Sequence, residues 1–233
     1  MAAGTPEDLK RRWFASQDPS DLVQCLEQHA SARKLRHVMC ASIRRLWPLV
    51  LDPRSRAAVA LIEALIEGEV SIEEAHASAT PAFEAYTESR ANGYDPAMAN
   101  AAYCISYSTP QPQLHQVAHA VFADCRAAAE RNRHLGYDPL VEQAAQAEFL
   151  HCAFDHLYQA GPLPVDAWLS WNDGIVRRLA HQLVHDQNFD TMPILADALE
   201  EAGCVDPTLL AHCRDDVLHV RSCWVLDLLL DRA

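Results

Sequence analysis

Residues 190–230 carry a helix-boundary signal at nearly every turn. One apolar stripe at helical spacing comprises Ile194, Leu195, Ala198, Leu199 and Ala202. Gly203 follows this stripe and suits the left-handed conformation that ends many helices. Asp206 and Pro207 then supply an N-cap acceptor and a first-turn residue for another helix. Residues 220–230 are apolar on almost every side, which predicts a C-terminal helix that is buried all round.

The same pair of a capping residue and a first-turn proline recurs along the chain, for example at Asp18-Pro19 and Asp52-Pro53. Glycine is scarce, with 7 residues in 233, and alanine is abundant, which favours helix over sheet. We therefore predict an all-α, multi-helix bundle of about ten helices without a sheet. It forms one domain over residues 1–233, and Gly161-Pro162-Leu163-Pro164 marks a corner at 160–165 between an N-terminal and a C-terminal helical part.

The middle of the chain repeats itself. Residues 90–96, ending in Gly-Tyr-Asp-Pro, recur 43 residues later as residues 133–139. A period of this length is typical of helical-pair repeats of the HEAT and armadillo kind. The repeat predicts a duplicated helical hairpin in which Tyr94 and Tyr137 occupy equivalent positions.

Charge and composition exclude several classes of protein. The formal net charge is -13, and no long basic run offsets it, which disfavours nucleic-acid binding. The N-terminus lacks the apolar run of a secretory signal, and no segment is apolar enough to span a membrane, so we expect a cytoplasmic protein. Its eight cysteines should then be reduced and mostly buried.

A basic face is predicted on the third helix, in contrast to the acidic chain as a whole. It comprises Arg33, Lys34, Arg36, Arg44 and Arg45. Such a contrast can steer an acidic protein partner, so the candidate partner-binding residues are Arg33, Arg36, Arg44 and Arg45. The alternative is that acids of neighbouring helices neutralise these side chains.

Histidine and cysteine residues supply candidate metal ligands. His181 and His185 stand at i and i+4, on one face of a predicted helix. A second, more crowded set comprises Cys204, His212, Cys213, His219 and Cys223. The spacings match no common zinc template and no H-E-x-x-H is present, so packing or surface roles are the alternative. The candidate metal ligands are His181, His185, His212 and His219.

Two blocks resemble a large paralogous family of bacterial proteins that is abundant in planctomycetes. They are residues 13–68 and 171–230, and the segments LADALEEAGC, HCR and HVRSCWVLDLLL carry the resemblance. Many members have Cys-x-Cys-Cys-Arg-Arg where this chain has residues 40–45, CASIRR, so at least one family cysteine is absent. Gly161-Pro162-Leu163-Pro164 stands where many members have an Asn-Pro-Phe-Arg-Pro-like stretch. The family has no assigned activity, so the resemblance implies a shared fold and leaves function open.

The chain has no nucleophile elbow, phosphate-binding glycine loop or dinucleotide fingerprint. We therefore predict a non-catalytic helical interaction protein, such as an adaptor, regulator or small scaffold, that binds another protein and needs no cofactor. The alternative is a metal-binding or hydrolytic helical protein that uses the histidine pairs.

Overall fold

A computed structural model describes residues 5–26, 30–106, 114–158 and 163–232. It confirms the all-α prediction: fourteen α-helices and no strand occur in these ranges. The helices are α1 (Pro6–Ala15), α2 (Pro19–Leu26), α3 (Ala32–Arg45), α4 (Pro53–Ile66), α5 (Ile72–Ala77), α6 (Ala79–Glu88), α7 (Pro96–Ser106), α8 (Leu114–Arg131), α9 (Pro139–Phe154), α10 (Val165–Ser170), α11 (Ile175–Asp186), α12 (Met192–Glu201), α13 (Pro207–Arg214) and α14 (Trp224–Leu230). Eleven of them have eight or more residues, close to the ten predicted. Within the described ranges, no helix is both long and apolar enough to cross a bilayer.

The chain divides into two compact units, residues 1–150 and 151–233. The division falls inside α9, whereas the sequence predicts one domain with a corner at 160–165. Residues 160–162 of that corner lie outside the described residues.

Several helices begin where the sequence places a capping side chain. Ser71 and Glu74 form a reciprocal capping box at the start of α5. Asp206 accepts a hydrogen bond from the Leu209 amide at 2.8 Å and caps α13. Gly203, in the connection between α12 and α13, has φ +92°, a conformation that residues with a Cβ rarely adopt. Local chemistry therefore determines these boundaries.

In unit 1, α7 packs between α6 and α8 and also against α4, while α3 packs on α4 and α8. The apolar stripe of α3 supplies Leu35, Val38, Met39 and Ile43 to the core. These helices form the core because each has one apolar face that only a neighbouring helix can remove from water.

The two Gly-Tyr-Asp-Pro turns have the same local geometry. Gly93 and Gly136 both have positive φ. The Asp95 and Asp138 carboxylates each accept a hydrogen bond from the amide two residues later, at 2.9 and 2.8 Å. Tyr94 and Tyr137, which follow these glycines, are both half-buried. The turns are thus alike, while the pairing of the two hairpins in a HEAT-like manner stays a prediction.

In unit 2, α12 packs on α11 and α13, and α11 packs on α14. Five of the seven side chains of α14 are buried, as the sequence predicts. The helix is shorter than the apolar run of residues 220–230 because Cys223 has the extended conformation of an N-cap residue, with φ -50° and ψ 130°. Residues 220–223 therefore form a turn that leads into the helix.

Candidate metal centre

Four potential metal ligands converge in unit 2. They come from the last turn of α9, from α13, from the loop that follows α13, and from the N-cap of α14: Cys152, His212, His219 and Cys223. One ligand atom from each residue lies within 4.8 Å of the corresponding atom of every other. Among the described residues this is the one such group of three or more Cys, His, Asp or Glu side chains.

Two contacts within this Cys₂His₂ cluster join a sulfur to a nitrogen. Cys152 Sγ lies 3.6 Å from His219 Nδ1, and Cys223 Sγ lies 3.1 Å from His212 Nε2. Bonds of about 2.3 Å to sulfur and 2.0–2.1 Å to nitrogen around a tetrahedral ion separate S and N ligands by about 3.6 Å. The cluster therefore already has nearly the dimensions of a zinc coordination shell.

Backbone hydrogen bonds fix the turn that presents Cys223. The Cys223 amide donates to the Val220 carbonyl at 2.9 Å, and the Asp227 amide donates to the Cys223 carbonyl at 2.9 Å. The first bond closes the turn of residues 220–223, and the second starts α14. Cys223 thus lies where two local structures meet, which limits the positions that its sulfur can take.

Aromatic rings surround the two imidazoles. The His212 and His219 rings meet edge to face, with centroids 5.0 Å apart. The Trp224 ring lies 5.4 Å from His212, and the Phe189 ring lies 5.9 Å from His219. Both sulfurs belong to buried residues, whereas both histidines are half-buried. The two sulfurs are therefore shielded from water, and the two histidines are partly exposed.

The surroundings of the cluster shift the pKa values of its two thiols in opposite directions. Burial alone would raise the pKa of Cys223, but the hydrogen bond from Cys152 and the charge of His212 lower it well below its usual range. Burial and the neighbouring Cys223 raise the pKa of Cys152 well above its usual range. Burial lowers the pKa of His212, yet the Cys223 sulfur outweighs this effect and raises it. A divalent cation would replace these protons and hold both sulfurs as thiolates.

The predicted metal ligands have different surroundings in the structure. His212 and His219 lie together in the cluster, joined by Cys223 from the crowded set. His181 and His185 lie exposed on α11, where the His185 imidazole contacts Asp186 at 2.7 Å. No third potential ligand joins this pair in the part of the chain that the structure describes. Cys204 and Cys213 are buried outside the cluster.

Cys152 is the ligand that sequence reasoning missed. It lies 60 residues before His212, in an apolar helical pattern that predicts an ordinary core cysteine. The spacing His-x₆-His-x₃-Cys between His212 and Cys223 is the local signal that points to a site. The fourth ligand is supplied by tertiary structure, and no spacing rule reaches it.

The predicted basic face of α3 is only partly a surface. Lys34 is buried, and Arg33 and Arg36 are half-buried. Arg44 pairs with Glu63 and lies over the Trp47 ring, 3.8 Å from its centroid. The partner-binding role of these arginines stays a prediction.

The last arginine of that face, Arg45, has its counter-charge inside unit 1. It donates two hydrogen bonds to Glu142, at 2.9 and 3.0 Å. A bidentate pair of this kind is among the stronger charge-assisted contacts in proteins. Two of the four candidate arginines, Arg44 and Arg45, are therefore already engaged with carboxylates of their own unit.

Comparison with known proteins gives no further assignment: no family model, curated protein or solved structure matches this chain. The resemblance of residues 13–68 and 171–230 to a planctomycete-type family therefore stays a prediction. The cluster in unit 2 remains the feature of the described residues that indicates a specific chemistry.

Proposed function

We propose that this chain is a zinc-binding helical protein in which one structural metal ion ties together the elements of unit 2. The observation that carries the proposal is the convergence of Cys152, His212, His219 and Cys223, with their ligand atoms within 4.8 Å of one another. Free cysteine and histidine are common core and surface residues, but two of each with adjacent donor atoms are the ligand set of structural zinc sites.

Ligand chemistry favours zinc over other cations. Sulfur and imidazole nitrogen are poor ligands for calcium and magnesium, which take oxygen. Tetrahedral S₂N₂ sets are typical of zinc. Two thiolates and two neutral imidazoles carry a charge of -2 in total, which one Zn²⁺ neutralises. A neutral site suits the burial of both sulfurs, because an unpaired charge there would be costly.

Four protein ligands favour a structural role over a hydrolytic one. Catalytic zinc sites keep one position for water or substrate, and they usually have three protein ligands. Here a tetrahedral ion held by Cys152, His212, His219 and Cys223 has no position left for a nucleophilic water. The arrangement thus supports the metal-binding part of the alternative function, without hydrolysis.

The first test is the metal content of the full chain. We expect about one zinc per chain after dialysis against metal-free buffer. Replacing any one ligand should remove most of the bound zinc, because three remaining ligands hold it far less tightly. The variants are Cys152→Ser, His212→Gln, His219→Gln and Cys223→Ser.

Matched controls separate the cluster from other cysteines and histidines. Cys213→Ser changes a buried cysteine next to His212 that lies outside the cluster, and it should retain the zinc. The double variant His181→Gln, His185→Gln should also retain it. Zinc that survives all four ligand replacements, or that disappears with His181 and His185, contradicts the proposal.

A structural zinc agrees with the non-catalytic role predicted from the sequence, since the ion would hold elements together and leave recognition to other surfaces. The identity of a protein partner stays a prediction. Its test is whether binding to a protein recovered from the native cell weakens with rising salt and with reversal of Arg36 to Glu.

A further inference from the structure

We propose that the zinc site is also a thiol switch, in which a small hydroperoxide oxidises Cys152 and Cys223 to a disulfide and releases the metal. This inference rests on the proposed function. It concerns the same site but adds a chemical event that a purely structural ion would not need. The supporting observation is that two of the four ligand atoms in the cluster are sulfurs, those of Cys152 and Cys223, which lie close together.

The two sulfurs are placed to react with each other. Cys152 Sγ and Cys223 Sγ lie within 4.8 Å of each other. A disulfide needs an S–S distance of about 2.0 Å, so the pair has to close by less than 3 Å. Both residues lie at ends of helices, in the last turn of α9 and at the N-cap of α14.

The reaction balances with one equivalent of hydroperoxide. One cysteine sulfur attacks a peroxide oxygen and the O–O bond breaks, which gives a sulfenic acid and one molecule of water or alcohol. The second sulfur then attacks the sulfenyl sulfur, the S–S bond forms, and the sulfenyl oxygen leaves as water. Two sulfurs lose one electron each and the peroxide gains both. Because the zinc-bound sulfurs start as thiolates, two protons from solvent are taken up by the two departing oxygen atoms. Zn²⁺ loses its two thiolate ligands, and two imidazoles alone hold it too weakly to keep it bound.

Access to the site selects the size of the oxidant. Cys152 is 2% exposed and Cys223 is 0% exposed, while His212 and His219 are half-buried. Because both sulfurs are buried, a small hydroperoxide suits this site better than a bulky disulfide such as oxidised glutathione, which has to approach a sulfur along the S–S line for exchange. The switch should therefore respond to hydrogen peroxide and not to oxidised glutathione.

The oxidised state retains the link that the metal makes. Zinc and the disulfide both join the last turn of α9 to the start of α14, but the disulfide leaves His212 and His219 free of the metal. Oxidation thus replaces a metal ion that links four residues with a disulfide that links two. The loop that carries His219 loses its anchor, while the helix ends stay connected.

Trypsin cleavage makes the disulfide assignment unambiguous. Cleavage after arginine places Cys152 in the peptide 134–177, Cys204 and Cys213 in the peptide 179–214, and Cys223 in the peptide 222–232. A Cys152–Cys223 disulfide joins the first of these peptides to the third. A disulfide with Cys213 would join the second to the third instead.

The experiment starts from full-length protein whose zinc content has been measured, and treats it with a small excess of hydrogen peroxide. We expect release of one zinc per chain, loss of two of the eight free thiols, and recovery of the 134–177 peptide linked to 222–232. Dithiothreitol plus zinc should restore the original state. The variant Cys204→Ser, Cys213→Ser retains all four ligands and should behave like the parent protein.

The outcomes separate this inference from the proposed function. Protein that holds no stoichiometric zinc before treatment overturns both. Protein that holds one zinc but releases it with linkage to the 179–214 peptide, or keeps it at peroxide concentrations that modify free cysteine, overturns the switch and leaves the zinc site standing. Equal release by oxidised glutathione contradicts the access argument and overturns the switch as formulated.

Discussion

The arginines of α3 in unit 1 and the ligand cluster of unit 2 differ in how their polar side chains are paired. On α3, Arg44 and Arg45 meet carboxylates, Glu63 and Glu142, so each positive charge has its complement in the same unit. In the cluster, the two sulfurs and the two imidazoles contact one another, and the same four atoms converge as ligands that could hold a cation. The first region pairs opposite charges within the protein, and for the second we propose an added ion.

The difference shows which kinds of binding site can be predicted from sequence. A run of arginines predicts a recognition surface only if the neighbouring helices leave it unpaired, and the sequence does not specify those neighbours. Cysteines and histidines still indicate a metal site after folding if their ligand atoms converge, because converging sulfur and nitrogen ligands are typical of metal binding.

The largest effect should follow loss of the metal. Removing the proposed zinc with a chelator, or replacing Cys223 with Ser, should lower the free energy of unfolding of unit 2 by about 4 kcal/mol or more, because the binding free energy of a structural metal adds to that of folding. Thermal unfolding followed by calorimetry should show a transition shifted by roughly 15 °C or more.

The control for metal loss is Cys213→Ser, which should shift that transition far less and leave it sensitive to the chelator. A Cys223→Ser protein that unfolds at the parent temperature would mean that unit 2 is complete without an ion. The contrast between the two regions would then disappear.

Trp224→Ala should be the next most damaging change. Trp224 is buried at the start of α14, beside the His212 ring, and its removal leaves a large cavity. We expect a loss of about 3–5 kcal/mol in the free energy of unfolding. Zinc should still bind, because the indole is not a ligand. A loss below about 1 kcal/mol would show that α14 is peripheral to its core.

The ion pairs of α3 allow a graded test within unit 1. Arg45→Met leaves the Glu142 carboxylate, whose side chain is 6% exposed, without its counter-charge and should cost about 2–3 kcal/mol. Arg44→Met is the matched control on the same helix. Glu63 is more exposed, so the loss there should be about 1 kcal/mol, including the contact with Trp47. Equal losses from denaturant unfolding would contradict this ranking.

A smaller, pH-dependent effect should arise at Asp124 on α8. Burial raises its pKa to about 6, and the hydrogen bond from Asn100 and the charge of Arg131 only partly offset this. An unfolded Asp titrates near 3.9, so the stability that this group contributes is fully present below about pH 4 and is lost as the pH rises through about 6.

Asp124→Asn should therefore stabilise the protein by about 1 kcal/mol at pH 8, after allowance for solvent screening, and should change nothing at pH 4. The asparagine keeps an acceptor for Asn100. Urea unfolding at the two pH values measures the difference. A gain at pH 4 that equals the gain at pH 8 would rule out the titration as its cause.

Prediction from sequence was effective where the cause was local. The caps of Asp52 and Asp206 follow from side chains that accept hydrogen bonds from amides two or three residues away. The Cys₂His₂ cluster shows the limit, since His212, His219 and Cys223 lie within one short segment but Cys152 is 60 residues distant. Only the tertiary structure of unit 2 brings the fourth ligand to the others, and apolar periodicity does not encode that distance.

The most direct test of the metal centre is X-ray absorption at the zinc edge on metal-loaded, full-length protein. The structure predicts a four-coordinate shell with two sulfur ligands at about 2.3 Å and two nitrogen ligands at about 2.0–2.1 Å. Cys152→Ser should leave one sulfur in the shell of whatever zinc remains. A shell of nitrogen and oxygen alone in the parent protein would place the metal elsewhere and contradict the assignment of Cys152, His212, His219 and Cys223.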